Sequence, residues 1–379
     1  MGGFDIVRPL ALAGVRSAVF TRPDDPVRHS RHVVHALPWH PPREEPRAAM
    51  AALLEFAAAQ PEPPVLFPPD DASIVFASRE RATLAPALRL CLGGPELIED
   101  LLDKARFRAL AERLELPVPR SRRLVAQDER APELDLRYPL VLKPAMRGRP
   151  WEAGHADQKA VLARTPSDLA ALWPRLVEIS ADLIAQEYVP GPETRIESFH
   201  AYVDESGAVA GAFCGRKVRT VPPQYGESTV VAISDARDVD AAGREAVERM
   251  GLRGVCKLDF KRAPDGRLWL LEVNPRFNLW HHPGALAGVN LPALVFADLT
   301  GSPRPPAGPA RAGVRWCDPL ADLRGVREEG RSVRAWAGTV LRAEALAGFA
   351  PDDPAPALRG IAWPPLRRRL ARLIPGARG

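Results

Sequence analysis

The sequence predicts a protein of mixed α/β and α+β class, with an N-terminal α/β domain followed by an α+β region of two subdomains. Over residues 1–102, short apolar runs alternate with helical patterns, which is typical of a parallel sheet covered by helices. Over residues 103–187, strand and helix patterns alternate again. Over residues 188–302, pairs of apolar runs flank short turns, which indicates antiparallel hairpins. Residues 303–379 are a predicted linker and accessory C-terminal tail.

The N-terminal domain opens with Gly2-Gly3 and a helical spacing of apolar residues from Ile6 to Val15. A glycine turn that opens a helix normally follows a strand, and none precedes this one. The first strand is therefore either missing from the sequence or absent from the fold. The later predicted elements are the strand Ser17–Phe20, the helix Ala48–Ala59, the strand Val65–Phe67 and the helix Ala72–Leu84.

The next subdomain begins with an amphipathic helix over Leu101–Leu114, starting near Asp103-Lys104. We expect it to end before Pro117, because proline disfavours the helical conformation in the residue that precedes it. The elements that follow are the strand Tyr138–Leu142, the polar segment Ala145–Gln158, the helix Ser167–Ile179 and the strand Leu183–Val189.

The third region is dominated by hairpin patterns. One hairpin is predicted with its turn at Glu205–Gly207, and a helix follows over Asp238–Met250. The strongest pattern joins the strands Val255–Lys261 and Leu268–Asn274 through a short turn that contains Gly266. Beyond these, Pro305, Pro306 and Pro309 mark the start of the predicted linker.

Composition and charge argue against several classes of function. The net charge of +5 over 379 residues gives no reason to expect a nucleic-acid partner. The longest apolar stretch, Ala285–Leu299, is too short and too interrupted to cross a membrane. The N-terminus lacks the basic-then-apolar order of a signal peptide. The four cysteines are far apart and form no CxxC pair, which fits a reducing cytoplasm.

The chemistry of the sequence is concentrated in the second hairpin. Because strand side chains alternate between faces, Lys257, Asp259 and Lys261 share one face of the first strand, opposite an apolar face. In the second strand, Glu272 and Asn274 lie opposite the apolar residues Trp269, Leu271 and Val273. If Arg262 pairs with Arg267, Asp259 lies opposite Leu270 and Glu272 is its diagonal neighbour.

Two neighbouring carboxylates repel each other unless a cation lies between them. Oxygen ligands of this kind suit Mg²⁺, which binds a few carboxylates and completes its shell with water and substrate phosphates. The alternative is an amphipathic hairpin with a solvated face. Arg276, which follows Asn274-Pro275 directly, favours the site because it adds a cation beside the acids.

Four motifs in order resemble the ATP-grasp enzymes, which include biotin carboxylase, D-alanine–D-alanine ligase and the carbamoyl-phosphate synthase large subunit. The resemblance covers about residues 1–300, and it is nearest to stand-alone proteins related to that synthase subunit. It implies an N-terminal pre-ATP-grasp α/β domain followed by a two-subdomain ATP-grasp fold. The motifs are Asp103-Lys104, Tyr138–Pro144, Gln186–Glu193, and Cys256–Phe260 with Leu271–Arg276.

The resemblance implies a role for each matching residue. Lys143 and Lys104 would contact the ATP phosphates, and Glu193 would accept the ribose hydroxyls. Asp259, Glu272 and Asn274 would hold one or two Mg²⁺ ions, with Mn²⁺ as an alternative metal. Arg276 and either Arg216 or Lys217 would stabilise an acyl phosphate. The adenine would contact the stretch formed by Gln186, Glu187, Tyr188 and Val189, chiefly through the backbone of Glu187 and Val189.

The sequence departs from the family in the segment that would cover the phosphates. Many members have a glycine run there, whereas Ala145–Gly154 has only Gly148 and Gly154. Fewer glycines allow fewer close backbone N–H contacts, and Arg147 or Arg149 is the candidate to compensate.

The resemblance implies an ADP-forming ligase that activates a small-molecule carboxylate for attack by an amine. Two alternatives stay open: a non-catalytic nucleotide-binding protein that keeps the fold for regulation or assembly, and an ATP-dependent carboxylase or phosphotransferase. A homodimer is expected by family analogy alone. His281-His282 is a further candidate to reach the acceptor substrate, against the alternative that the pair packs in the core.

Overall fold

In the computed structural model, residues 3–125, 130–145, 160–180, 182–306 and 308–362 are described. Over these ranges the strands form a seven-stranded sheet, a four-stranded sheet and two pairs of parallel strands. No helix in the same ranges is long and apolar enough to cross a membrane. The mixed α/β and α+β class predicted from the sequence is therefore confirmed.

The N-terminal domain carries two separate pairs of parallel strands rather than one continuous sheet. The predicted strands are present, and β1 pairs with β2 while β3 pairs with β4. The single helix predicted over Ala72–Leu84 is wrong, because the chain leaves the helical conformation at Glu80. The elements are α1 (Phe4–Leu12), β1 (Ser17–Phe20), β2 (Val33–Leu37), α2 (Pro46–Ala58), β3 (Val65–Leu66), α3 (Asp71–Arg79), α4 (Arg81–Leu84), β4 (Arg89–Leu90) and α5 (Pro95–Leu102).

The four-stranded sheet is antiparallel, with the strand order β5-β8-β6-β7. Its core forms where one helix buries Leu169, Trp173 and Leu176 against the sheet. The Asp103 carboxylate caps the N-terminus of the helix Lys104–Arg113 by accepting from the N–H groups of Ala105 and Arg106. The elements are α6 (Lys104–Arg113), β5 (Ser121–Val125), β6 (Leu140–Pro144), β7 (Val161–Ala163), α7 (Pro166–Ile179) and β8 (Asp182–Glu187).

The seven-stranded sheet has the order β13-β12-β9-β10-β11-β14-β15. One face is apolar, because Cys256, Leu258 and Phe260 pack there with residues from α5, α6 and α8. Both predicted hairpins are present, as β9–β10 and β12–β13. The elements up to residue 300 are β9 (Ile196–Val203), β10 (Val209–Val221), β11 (Glu227–Ser234), α8 (Arg237–Met250), β12 (Gly254–Arg262), β13 (Leu268–Asn274), α9 (His281–Leu286) and α10 (Leu291–Thr300).

The chain returns to this sheet after the proline-rich stretch, so residues 315–346 are not the accessory tail that the sequence predicted. Strand β14 (Arg315–Cys317) pairs with β11, and β15 (Ala345–Leu346) pairs with β14. Between them lie α11 (Pro319–Glu328) and α12 (Val333–Leu341). Asp322 of α11 is fully buried and accepts from Thr229 and Arg219, which fixes this segment to β10 and β11.

Asp5 of α1 makes the stability of the protein depend on pH. Its side chain is buried and accepts a hydrogen bond from Trp316 Nε1 at 3.2 Å, and burial raises its pKa from 3.8 to about 7. The folded protein therefore binds this proton more tightly than the unfolded chain does. The stabilising contribution is complete below pH 3.8 and is lost as the pH rises through about 7.

We therefore expect Asp5→Asn to raise the melting temperature at pH 8 and to leave it near the wild-type value at pH 4. Thermal unfolding at both pH values measures this, with the exposed Asp24→Asn as the control. An equal shift of the Asp5→Asn melting temperature at the two pH values would contradict the assignment.

Candidate active site

Six polar side chains lie on one face of the three strands β13, β12 and β9. Residues that are directly opposed in antiparallel strands share a face. We call this group the polar grid, because the strand pairing arranges it in two rows. The first row is Glu272, Asp259 and Ser198, and the second row is Asn274, Lys257 and His200.

The first row corrects the predicted register of the hairpin. Asp259 lies directly opposite Glu272, whereas the sequence predicted Leu270 as its partner. Two shifts of one residue cause the difference. Arg262 pairs with Leu268 rather than Arg267, and Leu271 forms a bulge that has no partner in β12. The bulge also changes the faces before it, so Leu270 and Val273 are buried in the core, whereas Trp269 and Leu271 are half-buried.

Asp259 is a buried carboxylate that is fully engaged by hydrogen bonds. The Ser198 hydroxyl donates to Oδ1, and Lys257 Nζ donates to Oδ2 at 2.6 Å. The side chain of Asp259 is 4% exposed and that of Lys257 is 13% exposed. A buried carboxylate needs such partners, because an unpaired charge away from water is costly.

The other two candidate metal ligands lie nearer to the surface. Glu272 is exposed, and its Oε1 accepts from Asn274 Nδ2 at 3.2 Å. Asn274 Oδ1 accepts from Arg276 Nη2 at 3.4 Å. The two acidic residues are therefore directly opposed across the strand pair, beside an amide.

The donor set of the polar grid fits a hard divalent cation. Asp259, Glu272 and Asn274 offer only oxygen ligands, and a cationic ammonium already lies against Asp259 Oδ2. Two carboxylates and an amide are fewer than an all-protein metal cage needs, and Mg²⁺ commonly takes its remaining ligands from water and phosphates. Within the described ranges, no cluster of three or more His, Cys, Asp and Glu side chains could hold a metal alone.

Lys261 connects the polar grid to the stretch predicted to bind the nucleotide. It lies two residues beyond Asp259 on the same face, and its Nζ is 3.7 Å from Glu193 Oε1. The ammonium also lies 4.8 Å from the centre of the Tyr188 ring. Burial holds the pKa of Lys261 below its ordinary value, although the charge of Glu193 acts to raise it. Tyr188 and Glu193, which are both predicted to bind the nucleotide, therefore lie next to β12.

Lys143 and Gln186 are neighbours on the four-stranded sheet. Lys143 Nζ donates to Gln186 Oε1 at 3.0 Å across the β6–β8 pair. Lys104 Nζ lies 3.4 Å from the carbonyl oxygen of Ala145, directly after β6. The structure thus brings both predicted phosphate-contacting lysines to the end of β6.

The carboxylate of Glu187 belongs to an ion cluster. It is held by Arg137, at 2.9 Å, and by Arg120, at 3.6 Å. Burial acts to raise the pKa of Glu187, but the hydrogen bonds and charges of these arginines hold it below its ordinary value. The N–H of Glu187 donates to Arg120 and that of Tyr188 donates to Pro139.

Arg276 lies between the polar grid and the N-terminal domain. Its Nε donates to Asp71 of α3, and Nη1 lies 3.5 Å from the carbonyl oxygen of Pro69. The next residue, Phe277, packs edge-to-face on Phe67, with ring centres 5.1 Å apart. The loop after β3 therefore fixes one edge of the guanidinium, while Nη2 faces Asn274.

The structure distinguishes between the two cations predicted on β10. Gly215 pairs with Ser198, so Lys217, two residues further on, lies on the same face as the polar grid. Arg216 lies on the opposite face, paired with Glu197, and is exposed. The alternative that Arg216 faces the site is therefore wrong. Arg147, with most of the segment predicted to cover the phosphates, lies outside the described residues.

Three histidines are buried, namely His200 of the polar grid and the pair His281-His282. Both ring nitrogens of His200 and His281 have no hydrogen-bond partner, and neither has Nδ1 of His282. Burial lowers the pKa of His281 to about 3 and that of His282 to about 4, so both are neutral at pH 7. His200 stacks on Phe213, with ring centres 4.6 Å apart. The alternative reading of His281-His282 as core residues fits this burial.

Similar solved structures establish the class of fold. An ADP complex of N5-carboxyaminoimidazole ribonucleotide synthetase aligns over 86% of this chain and 82% of its own, with a TM-score of 0.62 and 15% identity. A biotin carboxylase from Campylobacter jejuni aligns over 83% and 72%, with a TM-score of 0.61 and 13% identity. The chain has the ATP-grasp fold.

The sequence comparisons agree with that class. Residues 180–318 match a family described as "ATP-grasp in the biosynthetic pathway with Ter operon". A D-aspartate ligase of Enterococcus faecium is 25% identical over 53% of this chain and 50% of its own length. A D-alanine–D-alanine ligase of Pseudomonas entomophila is 26% identical over 56% and 70%. The chain thus spans about half the length of the first relative and more than two thirds of the second.

Proposed function

We propose that the protein is an ATP-dependent, ADP-forming ligase that activates a small-molecule carboxylate as an acyl phosphate for attack by an amine. The observation that carries this proposal is the polar grid, where Asp259 and Glu272 meet directly across β12 and β13 beside Asn274. Two of the relatives are named as ligases that join amino acids or act on D-aspartate. A non-catalytic nucleotide-binding protein has no need of this array of acids and cations.

We assign the nucleotide to the space between the carboxylates of the seven-stranded sheet and the lysines at the end of β6. Lys143 and Lys104 would contact its phosphates, and Glu193 would accept the ribose hydroxyls. Because the N–H groups of Glu187 and Tyr188 already donate within the protein, a backbone N–H contact to adenine would fall to Val189. Gln186 would act indirectly, by orienting Lys143 through the 3.0 Å hydrogen bond.

Asp259, Glu272 and Asn274 would hold Mg²⁺ or Mn²⁺. The metal would supply charge stabilisation for the transferred phosphoryl group. Arg276 and Lys217 would stabilise the negative charge on the acyl phosphate, because preorganised cations aimed at developing charge are the largest catalytic contribution in such sites. Arg276 is prepared for this by Asp71 and Pro69, which hold the opposite edge of its guanidinium.

We infer a cytoplasmic location from the cysteines. Cys91, Cys214, Cys256 and Cys317 are all free thiols. This supports a protein of the reducing cytoplasm.

An ADP-release screen tests the proposal. Purified protein is incubated with ATP and Mg²⁺ and with pairs of small carboxylic acids and amino acids, the D-amino acids included. We expect ADP release that requires both an acid and an amine. Release that requires bicarbonate and no amine would support a carboxylase instead. Tight ATP binding without turnover across the panel would support the non-catalytic alternative.

Lys143→Met removes the phosphate-facing ammonium but keeps the length of the side chain. We expect the Kd for ATP, measured by calorimetry, to rise at least about tenfold, because one charge-assisted hydrogen bond to a phosphate is worth about 1.5–3 kcal/mol. The control is Arg123→Gln on the same sheet, since Arg123 pairs with Asp182 at 2.7 Å. An unchanged Kd for Lys143→Met would contradict the assignment.

A further inference from the structure

Lys257 forms an ion pair with Asp259, one of the three residues assigned to the metal. Its ammonium donates to Asp259 Oδ2 at 2.6 Å, and the Ser198 hydroxyl takes the other oxygen of the same carboxylate. In this arrangement both oxygens of Asp259 are engaged by the protein itself. A divalent cation at Asp259 Oδ2 would lie close to the Lys257 ammonium, which opposes its binding.

The surroundings of Lys257 favour this closed arrangement. Lys257 lies opposite His200 on one side and Asn274 on the other. His200 is fully buried and neutral, because burial lowers its pKa well below 6.5. Asn274 is an uncharged amide. The ammonium pairs with the carboxylate of Asp259 at 2.6 Å, and the other carboxylate of the polar grid, Glu272, is exposed.

The same contact makes a metal and Lys257 compete for one carboxylate. Two cations against one buried carboxylate repel each other strongly, because the interior screens charge poorly. A polyphosphate changes this balance, since it brings several negative charges that can attract the ammonium away from Asp259. Lys257 has a long, flexible stem with three donors, which suits such an exchange.

We propose that Lys257 is a gate for the metal site, holding Asp259 in the nucleotide-free protein so that divalent cations enter together with the nucleotide. Lys257 releases Asp259 when the phosphates arrive, and Asp259 then becomes available as a metal ligand. The inference rests on the metal assignment of the proposed function. It adds an order of binding to that assignment, with the nucleotide required for tight metal binding.

The test is the affinity for Mn²⁺ in the absence of nucleotide, measured by the loss of the free-ion signal in electron paramagnetic resonance. We expect Lys257→Met to lower the Kd for Mn²⁺ at least tenfold relative to the wild type. Lys257→Gln, which keeps a hydrogen-bond donor without the charge, should give a similar gain, and Lys257→Arg should give none. With a non-hydrolysable ATP analogue, the wild type should bind Mn²⁺ nearly as tightly as Lys257→Met.

Two controls separate the gate from the metal assignment. Arg262→Gln removes a cation from the opposite face of β12, where it pairs with Glu197 and Asp238, so it should leave the Kd for Mn²⁺ unchanged. Asp259→Asn in the Lys257→Met background should abolish the gain. If neither Lys257→Met nor Lys257→Gln binds Mn²⁺ more tightly than the wild type, the gate is wrong. If tight binding survives Asp259→Asn, the metal assignment itself is wrong.

Discussion

Asp259→Asn is expected to lower the rate of ATP turnover at least about 100-fold while leaving the fold intact. Loss of a group that merely orients a metal ligand costs about 10–100-fold, and Asp259 is assigned as a ligand itself. The amide is close in size to the carboxylate and can still accept from Ser198 Oγ, which donates to Asp259 Oδ1 in the wild type. The hydrogen bond from Ser198 is therefore kept, whereas the Lys257 ammonium loses its acceptor at Oδ2.

A matched control distinguishes the loss of the Asp259 carboxylate from the loss of any carboxylate near β12. Asp238→Asn removes a carboxylate that also contacts β12, since Asp238 pairs with Arg262, but that carboxylate is 57% exposed. We expect ADP release by Asp238→Asn to stay near the wild-type rate, and circular dichroism of both variants to match the wild type. Turnover by Asp259→Asn within about threefold of the wild type would contradict the metal site, since one ligand should cost more.

Asp322→Ala is expected to give the largest loss of stability, about 3–5 kcal/mol in the free energy of unfolding. Asp322 is fully buried, accepts from Thr229 Oγ1 at 2.7 Å and pairs with Arg219, whose side chain is 14% exposed. Truncation leaves that guanidinium and that hydroxyl without their partner, and also frees the segment of α11 from β10 and β11. Removing one partner of a buried ion pair costs far more than removing a surface charge.

Urea unfolding, followed by circular dichroism, measures this loss. Asp322→Asn keeps an acceptor for Thr229 and should lie between Asp322→Ala and the wild type. Glu328→Ala, on an exposed position of the same helix, should change stability by no more than about 0.5 kcal/mol. An Asp322→Ala protein within about 1 kcal/mol of the wild type would mean that residues 315–346 do not depend on this anchor.

The sequence predicts well where the site lies because its chemistry is local. Alternation in the two strands of one hairpin places Lys257, Asp259 and Glu272 on one face without any knowledge of the rest of the chain. The bulge at Leu271 could not be predicted, since no glycine or proline marks it. Together with the shift of one residue at the turn, it changes a diagonal pair into a direct one. The sequence spacing also places Lys257 on the same face as Asp259. The ion pair between them depends on the burial of both side chains, which the spacing does not reveal.

Contacts between distant parts of the chain are what the sequence does not reveal. Ser198 and His200 enter the polar grid because β9 pairs with β12, about 60 residues further along, and no local pattern marks that pairing. Asp71 accepts a hydrogen bond from Arg276, 205 positions further along the chain, and no local pattern marks this contact either. The strands β14 and β15 are three and two residues long, too short for alternation to be detected, so the sequence predicts a tail beyond Pro309.

Trapping of the activated carboxylate tests the central proposal most directly. Hydroxylamine attacks an acyl phosphate to give a hydroxamate, which is detected by its coloured iron complex or by mass. With ATP, Mg²⁺ and the acid identified in the ADP-release screen, we expect hydroxamate and ADP in equal amounts, and neither with Asp259→Asn. ADP release without hydroxamate, at hydroxylamine concentrations that trap a synthetic acyl phosphate, would contradict activation of a carboxylate at this site.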